Sequence, residues 1–182
     1  VENTIHVCTQ CPEDTFSDVT EQKTSCKSCP RGRTSPTGFT VCSTCGTGQK
    51  QVGNDINTFT CIDCEIGKIA QAGDTECKSC KAGLYQSERA QGTCRPCEAG
   101  TWSDSVGSSS SLNCLHCDPG LYSTATGSST KSNCNPCPPG SKSNVLGAKN
   151  STICLDCEKG KASISGSTKC INCPVGQSQD QR

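Results

Sequence analysis

The sequence predicts a small disulfide-rich fold, mostly β and irregular, laid out as an elongated solenoid-like rod of tandem hairpin repeats. Three observations predict it. The twenty cysteines stand as ten Cys-x-x-Cys pairs, beginning at Cys8, Cys26, Cys42, Cys61, Cys77, Cys94, Cys114, Cys134, Cys154 and Cys170. The pairs recur every 16 to 20 residues from end to end, which marks a repeat array. Leu, Ile, Val and Phe number only 25 of 182 residues, below the ~20% under which a chain cannot bury enough apolar surface to order itself. Covalent cross-links must therefore replace the missing interior.

The repeats, cut at the cysteines, span residues 8–26, 26–42, 42–61, 61–77, 77–94, 94–114, 114–134, 134–154 and 154–173 of a single array over 1–182. Residues 174–182 start a further repeat that is cut short. Each unit opens on a turn. The third residue after the pair is Gly in nine of ten units, at Gly32, Gly48, Gly67, Gly83, Gly100, Gly120, Gly140, Gly160 and Gly176, and Asp14 in the tenth. Asp tolerates the left-handed backbone better than most residues, so this position calls for positive φ. Pro precedes the glycine in Pro119-Gly120 and Pro139-Gly140, a type II turn signal.

A short extended piece follows the turn. Four of the six aromatic residues fall at one repeat position, two beyond the turn: Phe16, Tyr85, Trp102 and Tyr122. Ser comes next in six units, at Ser17, Ser35, Ser103, Ser123, Ser143 and Ser163. A second glycine then sits seven residues before the next cysteine in the long repeats (Gly107, Gly127, Gly147) and four before it in several short ones (Gly38, Gly73, Gly166). Extra length thus enters near the second turn. Serine-rich stretches such as 105–111 and 127–130 are loop tips of linker-like composition. Each unit reads as a small hairpin. No segment keeps an apolar period of 3.6 residues, and Gly or Pro interrupts every helical candidate.

Two connectivities tie such hairpins. In one, the second cysteine of a pair bonds the first of the next: Cys11–Cys26, Cys29–Cys42, Cys45–Cys61, Cys64–Cys77, Cys80–Cys94, Cys97–Cys114, Cys117–Cys134, Cys137–Cys154 and Cys157–Cys170. Cys8 and Cys173 are then left for partners outside the fragment. In the other, whole pairs bond whole pairs, as Cys8–Cys26 with Cys11–Cys29. The first is favoured, because the turn-aromatic-Ser signature always lies between the cysteines it joins. A loop of about 15 residues contributes ~3 kcal/mol in the chain-entropy account. Nine of them outrank the burial that 25 large apolar residues offer after their own ordering cost.

The stretch Cys114 to Ser123, Cys-x-x-Cys-x-Pro-Gly-x-Tyr-Ser, resembles the ephrin-receptor-like cysteine-rich repeat. Growth-factor-receptor and tumour-necrosis-factor-receptor modules are similar in layout. Residues 15–20 with Cys26-Lys27-Ser28-Cys29 resemble the tandem arrays of protist and algal surface proteins, among them surface antigens and flagellar-hair or cell-coat components. The resemblance runs the whole length of the chain and implies an extracellular rod of stacked modules. The receptor modules carry an extra cysteine inside the loop, which this chain lacks.

Disulfides on this scale require an oxidising compartment, so the address is extracellular or cell-surface. Asn150-Ser151-Thr152 is an N-glycosylation sequon and agrees with a secretory route. The chain opens without a signal peptide, which reads as a mature fragment. It carries 17 basic and 17 acidic residues, scattered. No basic stripe addresses nucleic acid and no apolar run reaches membrane-span length.

Other chemistries fit less well. Paired Cys-x-x-Cys also suits zinc ribbons, but the basic clusters and reducing compartment that accompany them are missing. Thioredoxin-type use needs a βαβ setting. His6 and His116 have no recurring carboxylate or nucleophile beside them, so acid-base or covalent catalysis has no constellation. The aromatics at one repeat position read as local packing against the cross-links. The chain is therefore expected to be no enzyme, to hold no metal or cofactor, and to partner other protein subunits in a polymeric assembly, with glycans as a further partner class. The expected role is a building block of a cell-surface filament, flagellar hair, coat or adhesive fibre. The alternatives are a receptor or adhesion stalk and a lipid-anchored surface antigen. In each unit the spacers between paired cysteines, such as Arg95-Pro96, are expected to set the bend.

Overall fold

A computed structural model describes residues 9–12, 15–17, 25–29, 33–35, 38, 42–55 and 58–178. The turn positions Asp14 and Gly32, the cysteine Cys8 and His6 lie outside them. The fold is small, disulfide-rich, and mostly β and irregular. Among the described residues the strands form nine two-stranded sheets. In chain order they are β1 (Thr15–Phe16) with β2 (Lys27–Ser28), β3 (Arg33–Thr34) with β4 (Ser43–Thr44), and β5 (Gln49–Asp55) with β6 (Thr58–Asp63). Next come β7 (Lys68–Ile69) with β8 (Lys78–Ser79), β9 (Leu84–Tyr85) with β10 (Arg95–Pro96), and β11 (Thr101–Trp102) with β12 (Leu115–His116). The last are β13 (Leu121–Tyr122) with β14 (Asn135–Pro136), β15 (Ser141–Lys142) with β16 (Leu155–Asp156), and β17 (Lys161–Ala162) with β18 (Ile171–Asn172).

The return strands correct one expectation. The spacers are half of each hairpin rather than bends between units. Thr101 pairs with His116 and Trp102 with Leu115, and Arg95-Pro96 pairs with Tyr85 and Leu84. Two residues held between cysteines are extended and alternate their faces, which suits an antiparallel rung. Each hairpin therefore runs two residues past the cysteine at which the sequence pattern cuts the repeat. Three long repeats also carry a short 3-10 turn after the second glycine, at Ser111–Asn113, Lys131–Asn133 and Ser151–Ile153. No apolar period announces a turn of three residues.

Nine disulfides join the second cysteine of one pair to the first of the next, from Cys11–Cys26 to Cys157–Cys170. Of the two connectivities open to the sequence, this is the first. Cys173 is left with a half-buried thiol.

The chain divides into two compact units, interleaved in sequence. One holds residues 1–65, 69–78 and 89–93, the other 66–68, 79–88 and 94–182. Within the second unit, the interior is made mostly of sulfur and hydroxyl, with Gln86 and Ala148 buried among them. Cys80, Cys97, Cys117 and Cys137 are buried, and so are Ser103, Ser123, Ser143, Ser108 and Ser128. Ser143 Oγ accepts from the Val145 amide at 3.2 Å, a side-chain turn that Ser makes readily, whereas the buried hydroxyls of Ser123 and Ser128 have no hydrogen-bond partner.

Candidate functional site: the inter-repeat ladder and its groove

Successive repeats of the second unit are joined chiefly by backbone hydrogen bonds, with Ser163 and Ser165 hydroxyls adding bonds to the Ser141 and Cys137 carbonyls at the last junction. Between the hairpins closed by Cys97–Cys114 and Cys117–Cys134, the first-turn Gly100 amide donates to the Ser123 carbonyl at 2.8 Å. The Ser103 amide donates to Ser128 at 3.0 Å, and the second-turn Gly127 amide donates back to Cys97 at 2.8 Å. The same triplet joins the next-but-one junction, through Gly140 to Ser163, Ser143 to Ser167 and Gly166 to Cys137. Within the first unit it recurs as Gly48 to Ala70, Gln51 to Asp74 and Gly73 to Cys45. A ladder made of main chain does not depend on side-chain identity, so the position two beyond the first turn accepts Tyr, Trp, Ile, Lys or Ala.

The glycines serve a second contact, between a repeat and the next but one. Gly100 has φ +78°, and a Cβ there would lie 2.2 Å from the Gly147 carbonyl oxygen. Gly120 has φ +86°, and a Cβ there would lie 2.1 Å from that of Gly166. Glycine is thus required twice at this position, for its backbone angle and for its missing side chain. The sequence showed the first reason only. Close approach by a loop some 47 residues away leaves no local signal.

The second turn shows a matching exception. Ala90 occupies the second-turn position of its repeat at φ +56°, the sole non-glycine at positive φ among the described residues.

One groove opens in the second unit, with a volume of about 440 Å³. Its walls include Tyr85 from one hairpin and Glu98, Ser111, Leu112, Leu115 and His116 from the next. Leu112 is 89% exposed and Leu115 50%. The Lys149 ammonium crosses from two repeats away to the Glu98 carboxylate at 2.7 Å. Its hydrogen bond, then its charge, hold that carboxyl below the ordinary glutamate range. In the following repeat Asp118 and Lys131 stand where Glu98 and Ser111 stand here, and they pair at 2.6 Å.

Of the residues singled out in the sequence, His116 sits exposed on the groove rim, and Tyr85, Trp102 and Tyr122 are half-buried. At that aromatic position the backbone bridges to the following repeat, Trp102 to Ser128 and Tyr122 to Ala148. Asn150 is exposed and caps the last 3-10 turn, its Oδ1 accepting from the Thr152 amide at 3.1 Å. The loop-tip serines of linker-like composition turn out to be structural, since Ser108 and Ser128 are buried rungs of the ladder. Their burial follows from neighbours in the next repeat, which composition does not encode. Eighteen sulfurs are bonded to one another and offer no thiolate to a metal. Among the described residues no helix is long and apolar enough to cross a membrane.

A chain of tandem hairpins, each closed by one disulfide and, through residues 45–173, hydrogen-bonded to its neighbours, is a cysteine-rich repeat protein of extracellular type. The family described as tyrosine-protein kinase ephrin type A/B receptor-like matches residues 1–40 and 67–114, just under half of the chain. Those segments are similar to ephrin-receptor-like cysteine-rich repeats. The Cys114–Ser123 motif lies beyond the second matched segment except for its first residue. No curated protein matches the chain.

Proposed function

We propose that this chain is a structural building block of an extracellular filament, coat or adhesive fibre, and that it acts without catalysis. One observation carries the reading. Every repeat is held by its own covalent loop, and repeats are held to each other by main-chain bonds such as Gly100 to Ser123 and Gly127 to Cys97. Such a ladder fixes spacing between repeats and resists proteolysis and load, while leaving exposed tips such as Val106, Leu146 and Ile164 free to meet lateral partners. The ephrin-receptor-like segments support the address and keep a second reading in view, the stalk of a receptor or adhesion ectodomain or of a lipid-anchored surface antigen. A kinase or membrane segment elsewhere in the gene favours the stalk.

The test is to purify the intact protein without reductant and view it by electron microscopy. Ordered polymers support the structural role. Persistent monomers that bind a soluble ligand refute it.

A further inference from the structure

We propose that Asn150 carries an N-linked glycan whose first sugars lie over the groove between Tyr85 and Leu112. This rests on the extracellular address, since only the secretory route supplies the donor. In the attachment step Asn150 Nδ2 attacks the anomeric carbon of a lipid-diphosphate-linked oligosaccharide. The new C–N bond forms as the bond from that carbon to the diphosphate oxygen breaks. The amide gives up one proton, and the lipid diphosphate leaves with the electron pair.

Three observations lead here. First, the sequon is presented for modification. Asn150 and Thr152 are exposed on a loop, and both the amide and the hydroxyl of Thr152 donate to Asn150 Oδ1. That leaves Nδ2 as the end of the amide directed away from the turn. Second, the residue beside the sequon reaches the groove. Asn150 follows Lys149 directly, and the Lys149 side chain ends on Glu98 in the groove wall.

Third, the groove suits a sugar. Leu112, Leu115 and Tyr85 give it an apolar and aromatic floor. Glu98, Ser111 and His116 stand around it with a carboxylate, a hydroxyl and an imidazole. A pyranose offers a C–H face for the first set and hydroxyls for the second, the mixture that concave small-molecule sites provide. In the next repeat the residues equivalent to Ser111 and Glu98 are Lys131 and Asp118, which pair with each other at 2.6 Å.

The test uses the full chain secreted from a yeast culture labelled at leucine methyls, alongside Thr152→Ala, which removes the sequon and keeps the Asn150 cap. The expected result is a glycan mass on the Asn150 peptide, absent in Thr152→Ala. Nuclear Overhauser contacts should join the N-acetyl methyl of the first sugars to the Leu112 and Leu115 methyls. Trimming the glycan should shift those two methyls and leave Leu155, 61% exposed, unmoved. An unmodified Asn150 in secreted, fully oxidised protein overturns the inference. So does an occupied Asn150 without those contacts, as when a partner protein covers the groove instead. Reduced cysteines in the secreted material would instead bring down the extracellular reading beneath it.

Discussion

Replacing Gly100 by Ala should damage the ladder far more than replacing Gly160, although the two share φ +78°. Both substitutions place an L-residue in left-handed backbone, at ~1–2 kcal/mol. Both recover ~0.4–1 kcal/mol by stiffening the unfolded chain. Gly160 has nothing within 4 Å of the new Cβ, so Gly160→Ala should cost about 1 kcal/mol or less. At Gly100 the new Cβ meets the Gly147 carbonyl oxygen at 2.2 Å, and a backbone atom cannot rotate aside. Overpacking of that kind adds ~1–3 kcal/mol. Displacing either loop also strains the Gly100–Ser123 and Gly147–Cys117 bonds, each worth about 1 kcal/mol. The sum is about 3–6.5 kcal/mol for Gly100→Ala. With all disulfides intact, amide hydrogen exchange resolves the effect by site. Protection should fall at Gly100, Ser103 and Gly147 in Gly100→Ala and stay near wild type there in Gly160→Ala. Equal loss of protection in the two variants would refute the close packing of alternate repeats.

Two further predictions follow from single side chains. Ala90→Gly should relieve the left-handed alanine and stabilise its repeat by about 0.5–1 kcal/mol after the unfolded-state entropy is subtracted, seen as greater protection of the Ala90 amide, which donates to Cys64 at 2.9 Å; unchanged protection would contradict it. Glu98 has a lowered folded pKa through Lys149, so whatever the pair contributes is present above the unfolded pKa of Glu and lost as pH falls through the lowered folded value. Lys149→Ala should move the Glu98 carboxyl titration up toward the ordinary glutamate range, read by carbon NMR, and an unmoved titration would remove the contact between alternate repeats.

What was legible in the sequence was whatever each repeat writes locally. The cysteine pairs carry the disulfide spacing, and the recurring glycine carries the positive φ at Gly48, Gly67, Gly83, Gly100, Gly120, Gly140, Gly160 and Gly176. The Ser after the aromatic was visible as a recurrence, but its reason was not. Ser103, Ser123 and Ser143 are buried because a neighbouring turn closes over them, and that neighbour lies one repeat away. The spacers were misread because two residues carry too little pattern to declare a strand; only their pairing partners, such as Trp102 for Leu115, reveal it. The groove is lined by residues that the next repeat replaces, among them Ser111, Leu112, Leu115 and His116 against Lys131, Ser132, Asn135 and Pro136, and Lys149 reaches its wall from two repeats further on. Neither the groove nor that reach is visible until the repeats are set beside one another in space.

The decisive measurement is a thiol count with peptide mapping on native, unreduced protein. The account requires nine bonds, each from the second cysteine of one pair to the first of the next, with no thiol released by denaturant beyond Cys8 and Cys173. Pair-to-pair bridging such as Cys8–Cys26 with Cys11–Cys29, or a chain whose cysteines are mostly reduced, would contradict it.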